Sequence, residues 1–185
     1  MAYGVALDKS WEALVKLNPN VPKNLLVKFL GRQYCVDLQK KSVLDLTVLE
    51  PAKDFLSILI LHYLARRVVG LPELTNRWLT FRDLSGVQGY YDAYHKRAIE
   101  PIINKYGKDL AAFKGVLRKL PGSVSTGGDA SLILEVFQNV PVLVKLWLQD
   151  TEFAPDANIY FDASITEIFC TEDIVVLAQT VALQL

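Results

Sequence analysis

Cysteine, histidine and methionine are scarce, at two, two and one in 185 residues. Cys35 and Cys170 lie far apart and belong to no CxxC pair. This excludes a four-thiolate zinc or iron–sulfur site held by the chain alone. As free thiols in a reducing compartment, both are expected to be buried and inert. Two histidines are too few for a His-rich centre, so no metal site is expected. Nucleophile and cofactor signatures are missing as well: no GxSxG, no HExxH, no GK[ST] and no GxGxxG spacing occurs. Long apolar runs are also lacking. The longest, Phe55 to Ala65, contains Ser57 and His62 and stops at Arg66-Arg67, too short to cross a bilayer. The N-terminal "MAYGVALDKSW" has no basic region leading into an apolar one, so no signal peptide is expected and the cytoplasm is the expected location.

The chain is 51% hydrophobic and 22% charged, ordinary for a globular protein of one domain, expected over residues 1–185. Net charge is zero but unevenly spread: +2 for residues 1–50, +6 for 51–120 and −8 for 121–185. Opposed charges of this kind either neutralise one another within the fold or drive assembly into a homo-oligomer. No segment interleaves basic and aromatic residues as a nucleic-acid module does, so no nucleic-acid partner is expected.

Apolar spacing predicts a helix over 3–17, ended by Asn18-Pro19, and then a hairpin in "LLVKFLGRQYCVDL" with Gly31 first in a Gly31-Arg32 turn. "SVLDLTV" adds a short third strand. A helix over 51–69, opened by Pro51 and apolar nearly all round, belongs at the centre of the fold. Helical spacing continues from Leu74 to Leu120, including "RWLTFRDL". Strands return in "ASLILEVF", "VPVLVKLWLQ" and "NIYFD", and a last helix opens with Thr171 as its cap. Grouped strands predict an α+β fold: an antiparallel sheet, N-terminal hairpin plus C-terminal meander, packed on a largely buried central helix.

The densest chemistry is "GVQGYYDAYHKRAIEP". Read as a helix, it puts Tyr91, Tyr94, His95, Ala98 and Ile102 on one face. Pro101 cannot donate to the Arg97 carbonyl, so the helix bends or restarts there. A histidine among tyrosines, near Arg82 and Arg97, suits a polar or anionic ligand, or proton transfer. A plain amphipathic helix with buried tyrosine rings reads equally from the same spacing. "GSVSTGGDAS" precedes a strand, so it reads as a surface loop rather than a phosphate loop. His62 reads as a core histidine bonded to a backbone carbonyl; an axial metal ligand is the sharper alternative. Asp150, Glu152, Asp156, Asn158 and Asp162 offer hard oxygen ligands without EF-hand spacing, and so read as carboxylate-bearing loops.

Five segments taken together, "FLGRQYCVD", "ILILHYLARR", "RWLTFRDLSGVQGYYDAYHKRAIEPI", "VPVLVKLWLQDTEFAPDANIYFDAS" and "TEDIVVLA", resemble the prokaryotic domain of unknown function family 3786. The resemblance implies a cytoplasmic protein of anaerobic metabolism, since some members are fused to a cysteine-rich iron–sulfur domain like that of corrinoid iron–sulfur proteins. It implies no catalytic residue. Lacking the cysteine cluster, this chain would meet an iron–sulfur cluster or corrinoid only through a partner protein. Three functions follow as expectations: a non-catalytic accessory or ligand-binding module, a structural subunit of an oligomer, and a small enzyme using His95 as acid or base. The expected ligand-binding residues are Trp78, Arg82, Tyr91, Tyr94, His95, Arg97, Trp147, Glu152 and Asp162.

Overall fold

Helix α2 (Asp54–Val69) is apolar on nearly every side, and the remaining elements cover it. Ile60, Leu61, Tyr63 and Leu64 have no exposed surface at all. Burying each such side chain is worth about 1.5–3 kcal/mol, so a helix without a polar face is stable only when enclosed. The computed structural model describes residues 3–17, 22–87 and 89–185. The Asn18-Pro19 helix terminator lies outside them.

The protein is α+β, with its antiparallel strands divided between two sheets. The first runs β1 (Asn24–Phe29), β2 (Arg32–Asp37), β3 (Ser42–Asp45) and β4 (Glu50–Pro51) in chain order. The second has the order β5-β9-β8-β7-β6, made from β5 (Trp78–Thr80), β6 (Gly122–Ser125), β7 (Ala130–Phe137), β8 (Val140–Trp147) and β9 (Asp156–Asp162). Helix α1 (Gly4–Leu17) packs on α2 through Trp11 and Leu14, and α6 (Thr171–Gln184) closes another side. Between β5 and β6 lie α3 (Tyr91–Tyr94), a π-helical turn (His95–Ile99), α4 (Glu100–Tyr106) and α5 (Leu110–Gly115).

Several local expectations shift. The hairpin turn is Leu30-Gly31, with φ of 46° and 82°, and Phe29 pairs with Arg32. Glycine is therefore second in a two-residue turn of the mirror-image type. Leucine in this left-handed conformation is strained, and it is held there because its N–H donates to the Val136 carbonyl at 2.9 Å. That bond joins the two sheets, and the Phe29 and Phe137 rings pack beside it at 5.0 Å. Pro51 does not open α2. It pairs with Leu44, and the Ala52 N–H continues that ladder to the Val43 carbonyl, so the helix waits until Asp54.

Trp78–Thr80 is a strand, not a helix, because β9 offers it an unpaired edge. Gly122–Ser125 is likewise an edge strand rather than a loop. A Cβ on Gly122 would stand 2.2 Å from the Ile133 carbonyl oxygen, so glycine is what permits this pairing. Thr171 caps nothing. Its hydroxyl donates to the Ser85 carbonyl at 2.8 Å, tying α6 to the loop before α3. Cys170 is exposed at the N-cap of α6, not buried, while Cys35 is half-buried and both are free.

Asp162 terminates β9 from a position 3% exposed. Its carboxylate accepts the N–H and hydroxyl of Thr75 (both 3.0 Å), the Asn76 N–H (2.7 Å) and the Ser164 N–H (3.0 Å). Burial alone would raise its pKa, but the Ser164 and Thr75 hydrogen bonds outweigh it and the pKa falls. A carboxyl whose pKa is lower folded than unfolded stabilises the protein above the unfolded value and loses that contribution as pH falls through the folded one. Asp162→Asn therefore lowers stability at neutral pH by about 1–3 kcal/mol, the cost of donors facing a poorer acceptor. It also flattens the decline below about pH 4. Urea melts of both proteins at pH 7, 5 and 3 check this, and the gap between them narrows with acid.

Candidate functional site

Within the segment 78–106 one buried contact ties the turn after β5 to the helical rod that follows. Phe81, in the turn after β5, stacks on Tyr94 with ring centroids 4.0 Å apart and planes 5° from parallel. The turn is fixed by Asp83, whose carboxylate accepts the N–H and hydroxyl of Thr80, each at 2.7 Å, and these bonds lower its pKa. With Phe81 pointing in, its neighbour Arg82 points out. Its guanidinium lies over the Tyr91 ring, 3.9 Å from the centroid, a cation–π contact.

Gly86 and Gly89, at φ of 74° and 83°, shape the entry to α3. Four residues into the rod the winding loosens to the π-helical turn His95–Ile99, and regular helix restarts with Pro101 in its first turn. Proline has no N–H to give the preceding turn, which accounts for the restart. Tyr94, Ala98 and Ile102 are buried, and Tyr91 and His95 are half-buried. Tyr94 sinks far enough that burial raises its pKa, and among the described residues its hydroxyl has no hydrogen-bond partner. His95 Nδ1 lies 3.6 Å from a Glu100 carboxylate oxygen across the π turn. Outside this rod is a cleft of about 550 Å³ lined by Arg82, Tyr91, Asp92, His95, Lys96 and Glu100.

The expected ligand-binding residues thus separate. Arg82, Tyr91 and His95 meet at the cleft, Tyr94 lies beneath it, and Arg97 is exposed on the same turn. Trp78 pairs with Asp162 at one end of β9, whereas Trp147 pairs with Asp156 at the other, about 20 Å away at 3.3 Å per residue. Glu152 belongs to an exposed turn in which the Asp150 carboxylate accepts the N–H groups of Glu152 and Phe153. Asp162 is committed to its four donors. Among the described residues no three His, Cys, Asp or Glu side chains gather as metal ligands.

A second constellation escaped the sequence reading. His62 bonds side chains rather than a backbone carbonyl: Nε2 lies 2.8 Å from Ser10 Oγ, and Nδ1 lies 2.8 Å from Asp173 Oδ2. Residues from α1, α2 and α6 are brought into line in the order of a serine–histidine–aspartate relay. The rest of the relay's requirements fail. Ser10 is 2% exposed, and its own N–H belongs to the middle of α1, where it cannot serve an oxyanion. The Cys170 thiol donates to the same Asp173 oxygen at 3.2 Å. Partial desolvation of the sulfur, with the carboxylate beside it, pushes its pKa up to about 11 although the residue as a whole is exposed, so it is no thiolate nucleophile.

The line is a clip. Ser10 Oγ is also 2.8 Å from the Ala6 carbonyl. With Ser10 donating to Nε2 and Nδ1–H donating to Asp173, both ring nitrogens are paired beside a buried hydroxyl and a buried carboxylate. The signal in the sequence was Ser10 itself, a polar residue on the Leu7, Trp11, Leu14 stripe. Ser10→Ala is expected to cost about 1–3 kcal/mol, since it strands one imidazole nitrogen. Denaturant melts measure that loss, and a serine-directed fluorophosphonate labels neither protein.

No match was found among curated proteins or among solved structures. No described helix is long and apolar enough to cross a membrane. A family model does match residues 14–184, nearly the whole chain, and that span contains the cleft, the π turn, His62 and Asp173 while beginning four residues after Ser10. The chain belongs to the family described as Domain of unknown function (DUF3786).

Proposed function

We propose that this chain is a binding protein without chemistry of its own, and that it takes a small anionic ligand at the cleft beside the π turn. The observation that carries this reading is the state of Arg82. Its guanidinium is held over Tyr91, and among the described residues no carboxylate comes within 4.0 Å of it. An arginine fixed on an aromatic face has already lost part of its rotamer freedom, so an anion binding it orders less. Lys96, about one turn on from Tyr91, adds a second cation, and Arg82 and Lys96 face the carboxylates of Asp92 and Glu100 on the same lining. π-helical turns concentrate at functional sites, because the extra residue turns side chains away from the regular face.

Acid–base catalysis by His95 is the weaker reading. Its ring is half-buried and its side-chain neighbour is Glu100, at 3.6 Å, with no second acid or base bonded to it among the described residues. The oligomer reading draws only on the charge split. In the binding reading any iron–sulfur cluster or corrinoid is carried by a partner protein, as the family resemblance implies for a chain with two separated cysteines.

Calorimetric titration of the full chain with pyrophosphate and with citrate tests the proposal. Saturable binding is expected, weakening with added salt, and Arg82→Ala reduces affinity at least about tenfold, or ~1.4 kcal/mol. Absence of saturation up to about 10 mM ligand, or equal affinity in the variant, contradicts it.

A further inference from the structure

Edge strand β1 leaves one row of backbone groups without a sheet partner, and the pairing register says which. In an antiparallel pair, opposed residues alternate between exchanging hydrogen bonds and turning their backbone groups away. The Leu38 N–H donates to the Lys23 carbonyl at 2.9 Å, which makes Lys23 a bonded position. By alternation Leu25, Val27 and Phe29 bond β2, and Asn24, Leu26 and Lys28 face outward. Strand order confirms that β1 is the outer strand of its sheet.

This edge does not face open solvent. The hairpin tip touches β7 at the Leu30–Val136 bond, and beyond that point the two strands diverge around a crevice of about 560 Å³. Leu26 and Lys28 form one wall, Pro121, Glu135 and Gln138 the other, and Arg67 of α2 reaches in from below. The wall opposite β1 is closed to further pairing, because the Glu135 N–H already donates to the Pro121 carbonyl at 3.1 Å. On the β1 side, Arg67 donates to the Leu26 carbonyl at 3.1 Å. Among the described residues, nothing meets the N–H groups of Leu26 and Lys28.

The geometry points to β1 as a docking edge for an extended, acidic segment of a partner protein, added as a fifth strand inside this crevice. Main-chain bonds to the Leu26 N–H and to the N–H and carbonyl of Lys28 would supply affinity, as strand addition does elsewhere, and the alternate side chains would supply selectivity. Charge selects the acidic class. Lys28 and Arg67 line the crevice against the single carboxylate of Glu135. Leu26, 54% exposed, offers an apolar contact for every second residue of the guest. A lysine on an edge can instead serve only to repel other strands. The experiment separates the two roles.

The probe is a fluorescein-labelled eight-residue peptide of alternating Glu and Val, titrated into the full chain, with a Lys–Val peptide as control. Saturation at about 100 μM or tighter is expected for the acidic peptide only. Lys28→Glu weakens it at least tenfold, and Lys108→Ala, at an exposed position outside both the crevice and the cleft, leaves it unchanged. Leu26→Pro removes an outward N–H without taking a ladder bond, so it also weakens binding at least tenfold. In the unaltered protein the Leu26 and Lys28 amides exchange quickly and become protected when peptide is added, while Leu25 and Val27 are protected throughout. Equal binding of the Lys–Val peptide, or no saturation, overturns the inference. So does protection of Leu26 and Lys28 without peptide in a self-associated species, which would make a second copy the occupant.

Discussion

A helix as apolar as α2 keeps polar side chains against its neighbours only where a partner answers them, and five are answered. The Ser57 hydroxyl donates back to the Ala52 carbonyl, ahead of the helix. His62 reaches α1 and α6 through Ser10 and Asp173. The Tyr63 hydroxyl donates to the Gln138 carbonyl in the β7–β8 turn at 3.1 Å. Arg66 donates to the Gly70 carbonyl and pairs with Glu167 at 3.6 Å, and Arg67 holds the Leu26 carbonyl of β1. The apolar surface of α2 supplies the driving force, which is non-directional. The polar groups decide where each neighbour stops, because leaving one unpaired in the interior costs about 1–3 kcal/mol.

That division explains where function can lie. The best-formed relay in the protein, Ser10–His62–Asp173, is spent on joining three helices. The two proposed binding places lie at the periphery of the enclosure, where Arg82 and Lys28 present their charges. One such place is the π turn, where Arg82 rests on Tyr91. The other is the crevice where the two sheets diverge below Leu30. In the acidic stretch, Asp150 and Asp162 hold turns, Asp129 accepts the Leu148 N–H across the end of the β7–β8 pair, and Asp173 joins α6 to α2. The −8 of residues 121–185 is therefore in good part structural.

The α+β class, the central helix and the strands of the meander were legible because each rests on an apolar run or an alternation sustained over several residues. Two short strands were not. Trp78–Thr80 and Gly122–Ser125 take their conformation from the edges of β9 and β7, which no local pattern encodes. Pro51 looked like a helix start because its local preference is satisfied by either outcome, and pairing with Leu44 decided it. The tyrosine–histidine face was visible from spacing alone. That Trp147 and Glu152 lie away from it was not, since sequence does not say which end of β9 a neighbour meets. His62 shows the limit most clearly: its partners are 52 and 111 residues away, and only Ser10 hinted at them.

The central claim is that the polar groups of α2 hold its neighbours in place and that His62 is the clip for two of them. Hydrogen–deuterium exchange of His62→Ala against the parent tests it directly. The account predicts that amides of α1 and of the first turns of α6 lose protection together, while β7, β8 and β9 keep theirs. Unchanged protection in α1 and α6 would contradict it and would return His62 to the candidates for chemistry.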